Sequence, residues 1–362
     1  MEAMSGGKAA ANRIIPGFDD RLNEEYEKTR MLEPLITADI RKVMSQLGTG
    51  LTGVEFSVKT GTSIADKLER AKQYADEARA KISFLGGKTA GSFDPHAELA
   101  QMKDVIRYTE ICPHDDIIST TKRTIEEMKK QGYELSGIKN YYANPFAGTG
   151  YMGMHLNFVS PYGNEFELQV HSKESFDVKQ KGHDLYEKIR AVGTRPEDKE
   201  EMRKEIRKIH QSIEKPKDYG SLKDFSMARS VKRDIMSKRR AQTDVSISSK
   251  KGDGPSRSMV YSVTKQGKKI ACGFENVYSD GSMWRYQNDM RNGTAAVFVC
   301  NKKGAEISAH NAVPFEQTLG GALSLAAKIE ERHAKWMKEN FRQIDMGRSE
   351  QGIANTVTNI AK

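Results

Sequence analysis

Lys139, Asn140, Tyr141, Tyr151, His155, Glu167, Gln169 and His171 crowd into one short stretch of this chain. They supply a basic residue, aromatics, two imidazoles and a carboxylate. Tyr151 lies between Gly150 and Gly153, on a glycine-permitted turn that argues for an exposed ring. Such a set can stack a nucleobase, neutralise phosphate, and hold a metal or take a proton.

Two strands must gather these side chains. From Met154 to Val159 the apolar residues Met154, Leu156 and Phe158 alternate with His155 and Asn157. From Phe166 to His171 the apolar residues Phe166, Leu168 and Val170 alternate with Glu167, Gln169 and His171. Strict alternation predicts half-buried strands, and Pro161-Tyr162-Gly163-Asn164 between them predicts a hairpin loop. A loop centred on Gly163 sets Leu156 opposite Val170 and Phe158 opposite Leu168. His155 then faces His171, Asn157 faces Gln169, and Glu167 lies on the same polar surface.

Upstream, Lys59-Thr60-Gly61-Thr62-Ser63 precedes a helical pattern over Ile64–Ile82, with Ser63 as N-cap and Asp66 completing a capping box. Lys59 then lies on a loop feeding a positive helix N-terminus, a favourable place for phosphate. Asp104 stands at the mouth of a strand over Val105–Ile111. A helix over Asp115–Gln131 and a strand over Tyr133–Ile138 complete an α+β pattern. Gly86-Gly87-Lys88-Thr89 lacks the full phosphate-loop spacing and reads as a glycine loop.

Taken in order from about Ser57 to Tyr186, these segments resemble the synthetase domain of the RelA/SpoT alarmone synthetases and their toxin relatives. Lys59 to Ser63, with Lys67, resembles the segment holding the donor ATP phosphates. Asp104 resembles the magnesium-binding aspartate. Lys139-Asn140-Tyr141 and Gly150-Tyr151-Met152-Gly153-Met154-His155 resemble the acceptor-binding stretch, with Tyr151 as the residue stacking on the acceptor base. Glu167-Leu168-Gln169 resembles the strand with the catalytic glutamate, and His183-Asp184-Leu185-Tyr186 the helix closing the motif set. Three family arginines are missing: Ser57, Thr109 and His171 stand in their places, with Arg107 two residues before Thr109. A fork-shaped cation is not replaced conservatively at a phosphate site, which points to a divergent toxin-like or phage-like branch.

The resemblance implies a mixed β-sheet flanked by helices, the nucleotidyltransferase-like fold of that family. It implies pyrophosphate transfer from ATP to a ribose hydroxyl of a nucleotide acceptor. Lys59, Ser63 and Lys67 would bind the donor; Lys139, Asn140, Tyr151, His155 and Gln169 would bind the acceptor. Asp104 and Glu167 would be catalytic and would hold Mg²⁺, Glu167 also taking the hydroxyl proton. The acceptor is a guanine nucleotide in the alarmone branch, and an adenine nucleotide or the 3′ end of tRNA among toxin relatives. The competing expectation is a catalytically silent module of this fold that binds nucleotide, RNA or a partner protein.

Composition agrees with anionic partners: the 362 residues carry a formal charge of +9, with 37% hydrophobic and 30% charged residues. Three scattered cysteines, Cys112, Cys272 and Cys300, indicate neither a disulfide framework nor a zinc site. No signal peptide or membrane span is legible, so the expectation is a cytoplasmic protein without a membrane partner, delivered elsewhere only by a signal-independent route. The oligomeric state is left open. The remaining expectations are regional. Residues 1–50 form a helical lead-in broken or restarted at Pro34, 51–213 the synthetase-like domain, 214–258 a basic flexible linker with a short basic helix around Met227 to Arg240, and 259–342 a small α+β domain before a tail at 343–362. Within the small domain, strands are expected at Met259–Val263, Ile270–Phe274 and Ala295–Cys300, and a helix at Leu319–Arg342.

Overall fold

The computed structural model describes residues 15–85, 91–191, 193–250, 257–277, 283–300 and 306–313. The segment 86–90, the expected helix at Leu319–Arg342 and the tail at 343–362 lie outside these. The chain divides into two compact units, one formed by Asp39–Ser57 and Ile106–Arg239, the other by the residues up to Ala38, Val58–Val105 and the residues from Arg240 onward. This division differs from the ranges drawn from the sequence, since the N-terminal and C-terminal regions share a unit.

The unit built around Ile106–Arg239 holds a six-stranded mixed sheet. Its strands are β1 (Gly50–Thr52), β2 (Arg107–Ile111), β3 (Glu134–Asn140), β4 (Met154–Val159), β5 (Glu165–His171) and β6 (Phe225–Ser226), in the order β1-β2-β5-β4-β3-β6. Only β2 and β5 run parallel among neighbours. Helices Ile117–Lys130, Lys173–Lys181, His183–Arg190 and Pro196–His210 accompany the sheet, giving an α+β fold. The first of these buries Ile117, Ile118, Thr121, Thr124, Ile125 and Met128, one face at helical spacing. Leu156, Phe158, Phe166 and Leu168 are fully buried in the sheet, and the Phe166 ring packs edge-on to Tyr108 and Tyr133 at 5.8 and 5.7 Å.

The β4–β5 hairpin forms with a register two residues away from the expected one. Leu156 pairs with Leu168, Phe158 with Phe166, His155 with Gln169 and Asn157 with Glu167. The loop is tighter than a turn centred on Gly163: the Ser160 N–H donates to the Asn164 carbonyl at 2.8 Å, leaving Pro161-Tyr162-Gly163 as the connection. Gly163 takes φ +90°, which closes the turn at its last position. A shift of two preserves which residues share a face, so apolar still meets apolar. The polar face is covered at Asn157, Gln169 and His171, which are buried.

The other unit contains a second six-stranded sheet, a meander in which β7 (Thr243–Lys250), β8 (Arg257–Lys265), β9 (Lys268–Val277), β10 (Met283–Asp289), β11 (Thr294–Cys300) and β12 (Glu306–Val313) pair in sequence order, all antiparallel. The expected linker therefore carries structure. The short basic helix expected there forms over Arg229–Ala241, and β7, which was not expected, pairs with β8 along its length. Its sequence is poor in apolar residues because β7 stands at the end of the strand order, where polar side chains are the rule. Helix Gly61–Phe84 begins three residues earlier than expected, with Thr60 as its N-cap: the Thr60 hydroxyl accepts the Ser63 N–H at 3.1 Å. Leu22, Tyr26, Ile64, Leu68, Leu99 and Met102 form a buried cluster beside it.

Helix Asp20–Leu47 runs unbroken through Pro34, where a break was expected. Proline has no N–H to give the carbonyl four residues back, that of Arg30. Arg285 Nη2 donates to that carbonyl at 2.8 Å. Arg30 itself is buried, bonded to Glu27 at 2.7 Å and Glu275 at 2.8 Å. Among the described residues no helix is long and apolar enough to cross a membrane.

Candidate active site

Glu167 projects from β5 onto the covered polar face. One carboxylate oxygen accepts the Gln169 amide N–H at 2.6 Å, and the other faces His155 Nδ1 at 3.2 Å. Gln169 in turn accepts Lys179 Nζ at 2.6 Å, and Arg107 lies at the paired position on β2. Burial works against the Glu167 anion, but His155, Gln169 and Arg107 outweigh it and bring the carboxyl down to about 2. Burial, reinforced by Arg107 and opposed by Glu167, brings the Lys179 ammonium down to about 8. The result is an ionised carboxylate with Lys179 near it and the exposed Arg107 at the paired position on β2.

From His155 a line of polar groups leads into the interior. His155 Nε2 lies 2.7 Å from the Tyr151 hydroxyl, which lies 2.9 Å from His171 Nε2. His171 Nδ1 is 2.9 Å from Ser175 Oγ, which is 3.0 Å from the Tyr142 hydroxyl. The Tyr151 ring meets Tyr141, His155, His171 and His210 edge-on, with centroids 5.5–5.8 Å away. An exposed ring was expected from the flanking glycines; Gly150 does take the turn, at φ +70°, but Gly153 serves close packing. A Cβ on Gly153 would come within 2.7 Å of His171 Cε1 and 2.9 Å of Tyr151 Cζ. Burial pushes the Tyr151 hydroxyl well above its ordinary value and His171 well below its own, so both stay neutral.

The remaining expected acceptor contacts sit beside this line. Lys139 Nζ donates to Asp224 at 3.1 Å and stays more than half exposed. Asn140 is buried and committed to its own loops: its amide donates to the Tyr219 and Leu222 carbonyls at 2.7 and 2.8 Å, and its oxygen accepts the Ala143 N–H at 3.0 Å. Half-exposed aromatic surface comes from Phe146, which packs edge-on to Tyr141 with centroids 6.2 Å apart.

Lys59, Ser63, Lys67 and Asp104 belong to the other unit. Both lysines bond the Asp104 carboxylate, Lys67 at 2.5 Å. Burial opposes the charge, yet the two ammonium groups hold the Asp104 carboxyl well below the usual carboxylate range. Ser63 Oγ accepts from the Thr60 hydroxyl at 3.0 Å in the first turn of the helix. Lys59 thus precedes the first turn of the helix and Lys67 lies within the helix, both committed to Asp104.

The expected magnesium ligands do not offer a ready-made site. Both oxygens of Asp104 are taken by lysines, and both oxygens of Glu167 by Gln169 and His155. Among the described residues no group of three ligating side chains comes together.

Sequence reasoning missed Lys179, Ser175 and Tyr142. Lys179 reads as a solvated helix-end lysine until the helix Lys173–Lys181 is seen to fold back on β5 at its Ser172 cap. Its spacing of ten residues from Gln169 matches no single-element periodicity, so only the capped strand-to-helix turn could have pointed to it.

No protein-family model matches the sequence, and none of the curated proteins matches it significantly. Solved structures do. The chain is similar to the small alarmone synthetase 1 from Bacillus subtilis, at 17% identity over 54% of this chain and 90% of that one, with a TM-score of 0.38. The same synthetase bound to its product pppGpp matches at 16% identity over 41% and 86%, with a TM-score of 0.27. The complex of the Type VI effector Tas1 with its immunity protein matches at 18% identity over 54% of this chain and 96% of that chain, with a TM-score of 0.32.

Proposed function

We propose that this chain transfers pyrophosphate from ATP to a ribose hydroxyl of a nucleotide acceptor, with Glu167 as the proton-accepting residue. The observation that carries this reading is the state of Glu167, a covered carboxylate kept ionised beside Arg107 and Lys179. The order of motifs from Lys59 to Tyr186 supplies its context.

In the proposed reaction the acceptor hydroxyl donates a hydrogen bond to Glu167 and its oxygen attacks the β-phosphorus of ATP. The bond to the α-phosphate oxygen breaks, and AMP leaves with that electron pair. A carboxylate with a value of about 2 is a weak base in the resting protein. It works by aiming the hydroxyl until attack makes the proton acidic, which suits chemistry governed by positioning and charge. Lys179 and Arg107 neutralise charge on acceptor phosphates or on the transferred group. Lys59, Lys67 and the N-terminus of helix Gly61–Phe84 bind donor phosphates, with Asp104 holding the two lysines in place. Phe146 and Tyr141 offer aromatic surface for a base.

The test is incubation of the full chain with γ-labelled ATP and, separately, a guanine nucleotide, an adenine nucleotide and tRNA, followed by chromatography. Label should move to an acceptor with one AMP formed per transfer, and the acceptor that takes it sets the branch. Nucleotide binding without AMP formation would leave a silent binding module in its place.

A further inference from the structure

Glu167 and Gln169 stand two residues apart on β5, so their side chains share one face of the sheet. Arg107 and Thr109 lie opposite them on β2, and Asn157 and His155 on β4. The last torsion of a glutamate is broad, so the plane of its carboxylate is set by whatever bonds it. The shorter of the two bonds described above comes from Gln169, whose Nε2 lies 2.6 Å from Glu167 Oε1. At the far end of the amide, Gln169 Oε1 lies 2.6 Å from Lys179 Nζ.

Charge at both ends decides which side of the amide faces which partner. An ionised carboxylate only accepts, and an ammonium only donates. The NH₂ group therefore faces Glu167 and the carbonyl oxygen faces Lys179. Turned over, the amide would set oxygen against carboxylate and NH₂ against ammonium, repelled on both sides. The reverse order of protons would need a protonated Glu167 and a neutral Lys179 together. Glu167 is held down at about 2 and Lys179 at about 8, so at neutral pH the carboxylate is charged and the amine largely so. Both bonds are charge-assisted, which is the stronger class.

The local fold keeps the three groups together. Helix Lys173–Lys181 starts at the Ser172 capping box, directly after β5 ends at His171, and this brings Lys179 back to Gln169. Lys179 Nζ also lies 5.5 Å from the centroid of the Phe176 ring, a cation–π contact that restricts the ammonium further. Gln169 is only 3% exposed, and both of its polar ends are engaged inside the protein. The family resemblance implies an acceptor contact at this position.

We infer that Gln169 is instead a positioning residue: oriented by Lys179, its amide fixes the plane of the Glu167 carboxylate and does not touch the acceptor. This rests on the reading of Glu167 as the group that receives the acceptor proton. An ammonium has three N–H groups, so the bond to Gln169 is compatible with the phosphate role given to Lys179 above.

The experiment replaces Gln169 by methionine, which keeps the length of the side chain and removes both polar ends. In the transfer assay Gln169→Met should lower kcat at least about tenfold, with KM for the acceptor within about twofold, since an ill-set carboxylate costs turnover and not binding. An acceptor KM raised about tenfold with kcat unchanged would make Gln169 an acceptor contact and overturn the inference, as would unchanged kinetics. The second readout needs no substrate: carbon-13 spectroscopy of the Glu167 carboxyl in the full chain, assigned by its loss in Glu167→Gln. Removing a donor from the anion moves its titration up, so the midpoint in Gln169→Met should lie at least about one pH unit above wild type. Lys179→Met should move it the same way, and Lys179→Arg, which keeps a donor for the carbonyl, should bring it back. Equal Glu167 titrations in wild type and Gln169→Met overturn the inference whatever the activity. If Gln169→Met does not fold, the Lys179 variants decide, and a Glu167 titration unmoved by Lys179→Met overturns it. If wild type transfers nothing, the functional reading falls and the titrations alone judge the positioning.

Discussion

Arg285 donates to the Arg30 carbonyl, the one group in its helix that Pro34 leaves without a helical donor. A strand residue thus repairs a helix 255 positions away. Pro34→Ala restores the backbone donor, so it should reduce the cost of removing Arg285. In a double-mutant cycle by urea denaturation, Pro34→Ala and Arg285→Ala should couple by about 0.5–1.5 kcal/mol, the net value of one hydrogen bond. Strict additivity would show that the Arg285 contact contributes nothing to the helix.

Tyr151→Phe separates a bridging hydroxyl from a stacking ring. The hydroxyl sits between His155 and His171, and its loss leaves a nitrogen on each side without its partner. An unsatisfied buried polar group costs roughly 1–3 kcal/mol, so transfer should fall by about five- to a hundredfold. If Tyr151 acted by stacking on a base, phenylalanine would serve as well as tyrosine and the rate would hold.

Lys67→Ala tests the donor assignment. Lys59 remains to hold Asp104, so the carboxylate is not stranded. KM for ATP should rise about tenfold, equivalent to about 1.4 kcal/mol, with KM for the acceptor unchanged. An acceptor effect of the same size would move Lys67 out of the donor site.

Glu110 supplies a pH dependence unconnected with the reaction. It is fully buried on β2, where its carboxylate accepts from the hydroxyls of Thr49 at 2.8 Å and Thr124 at 3.0 Å. Burial pushes its carboxyl up to about 7 against these bonds and Arg123. A folded-state value above the unfolded one means that the protonated form favours folding. That contribution is complete below the ordinary glutamate range and is lost as pH rises through about 7. Wild type should therefore lose roughly 3 kcal/mol relative to Glu110→Gln between pH 4 and pH 8. A gap between the two proteins that does not change with pH would refute this.

Much of the central sheet was legible because its strands alternate cleanly: Met154 to Val159 and Phe166 to His171 declare their faces in two-residue steps. The hairpin register was not, because a turn centred on Gly163 and one closed by Ser160 and Asn164 keep the same faces together. Thr243 to Lys250 escaped notice since an edge strand needs few apolar residues. At the candidate site the sequence brought out His155, Glu167, Gln169, Lys59, Lys67 and Asp104 as residue types. It could not reveal that Asn140 serves its own loops, or that Tyr151 points its hydroxyl at two imidazoles. Those facts depend on which long-range neighbours fill each hydrogen bond, and no spacing within the chain encodes them.

The buried pairing of Arg30 with Glu275 has a consequence for synthesis on the ribosome. The two residues lie 245 positions apart. At typical translation rates, Arg30 waits roughly 12–50 s for its partner to be made. During that interval the nascent helix carries Glu27, Arg30 and Glu33 beside Met31, Leu35 and Ile36, all of them buried once folding is complete. Every residue of the unit ending at Arg239 emerges before Glu275 does. The chain thus has every residue of the unit bearing Glu167 in hand before Arg30 can meet Glu275.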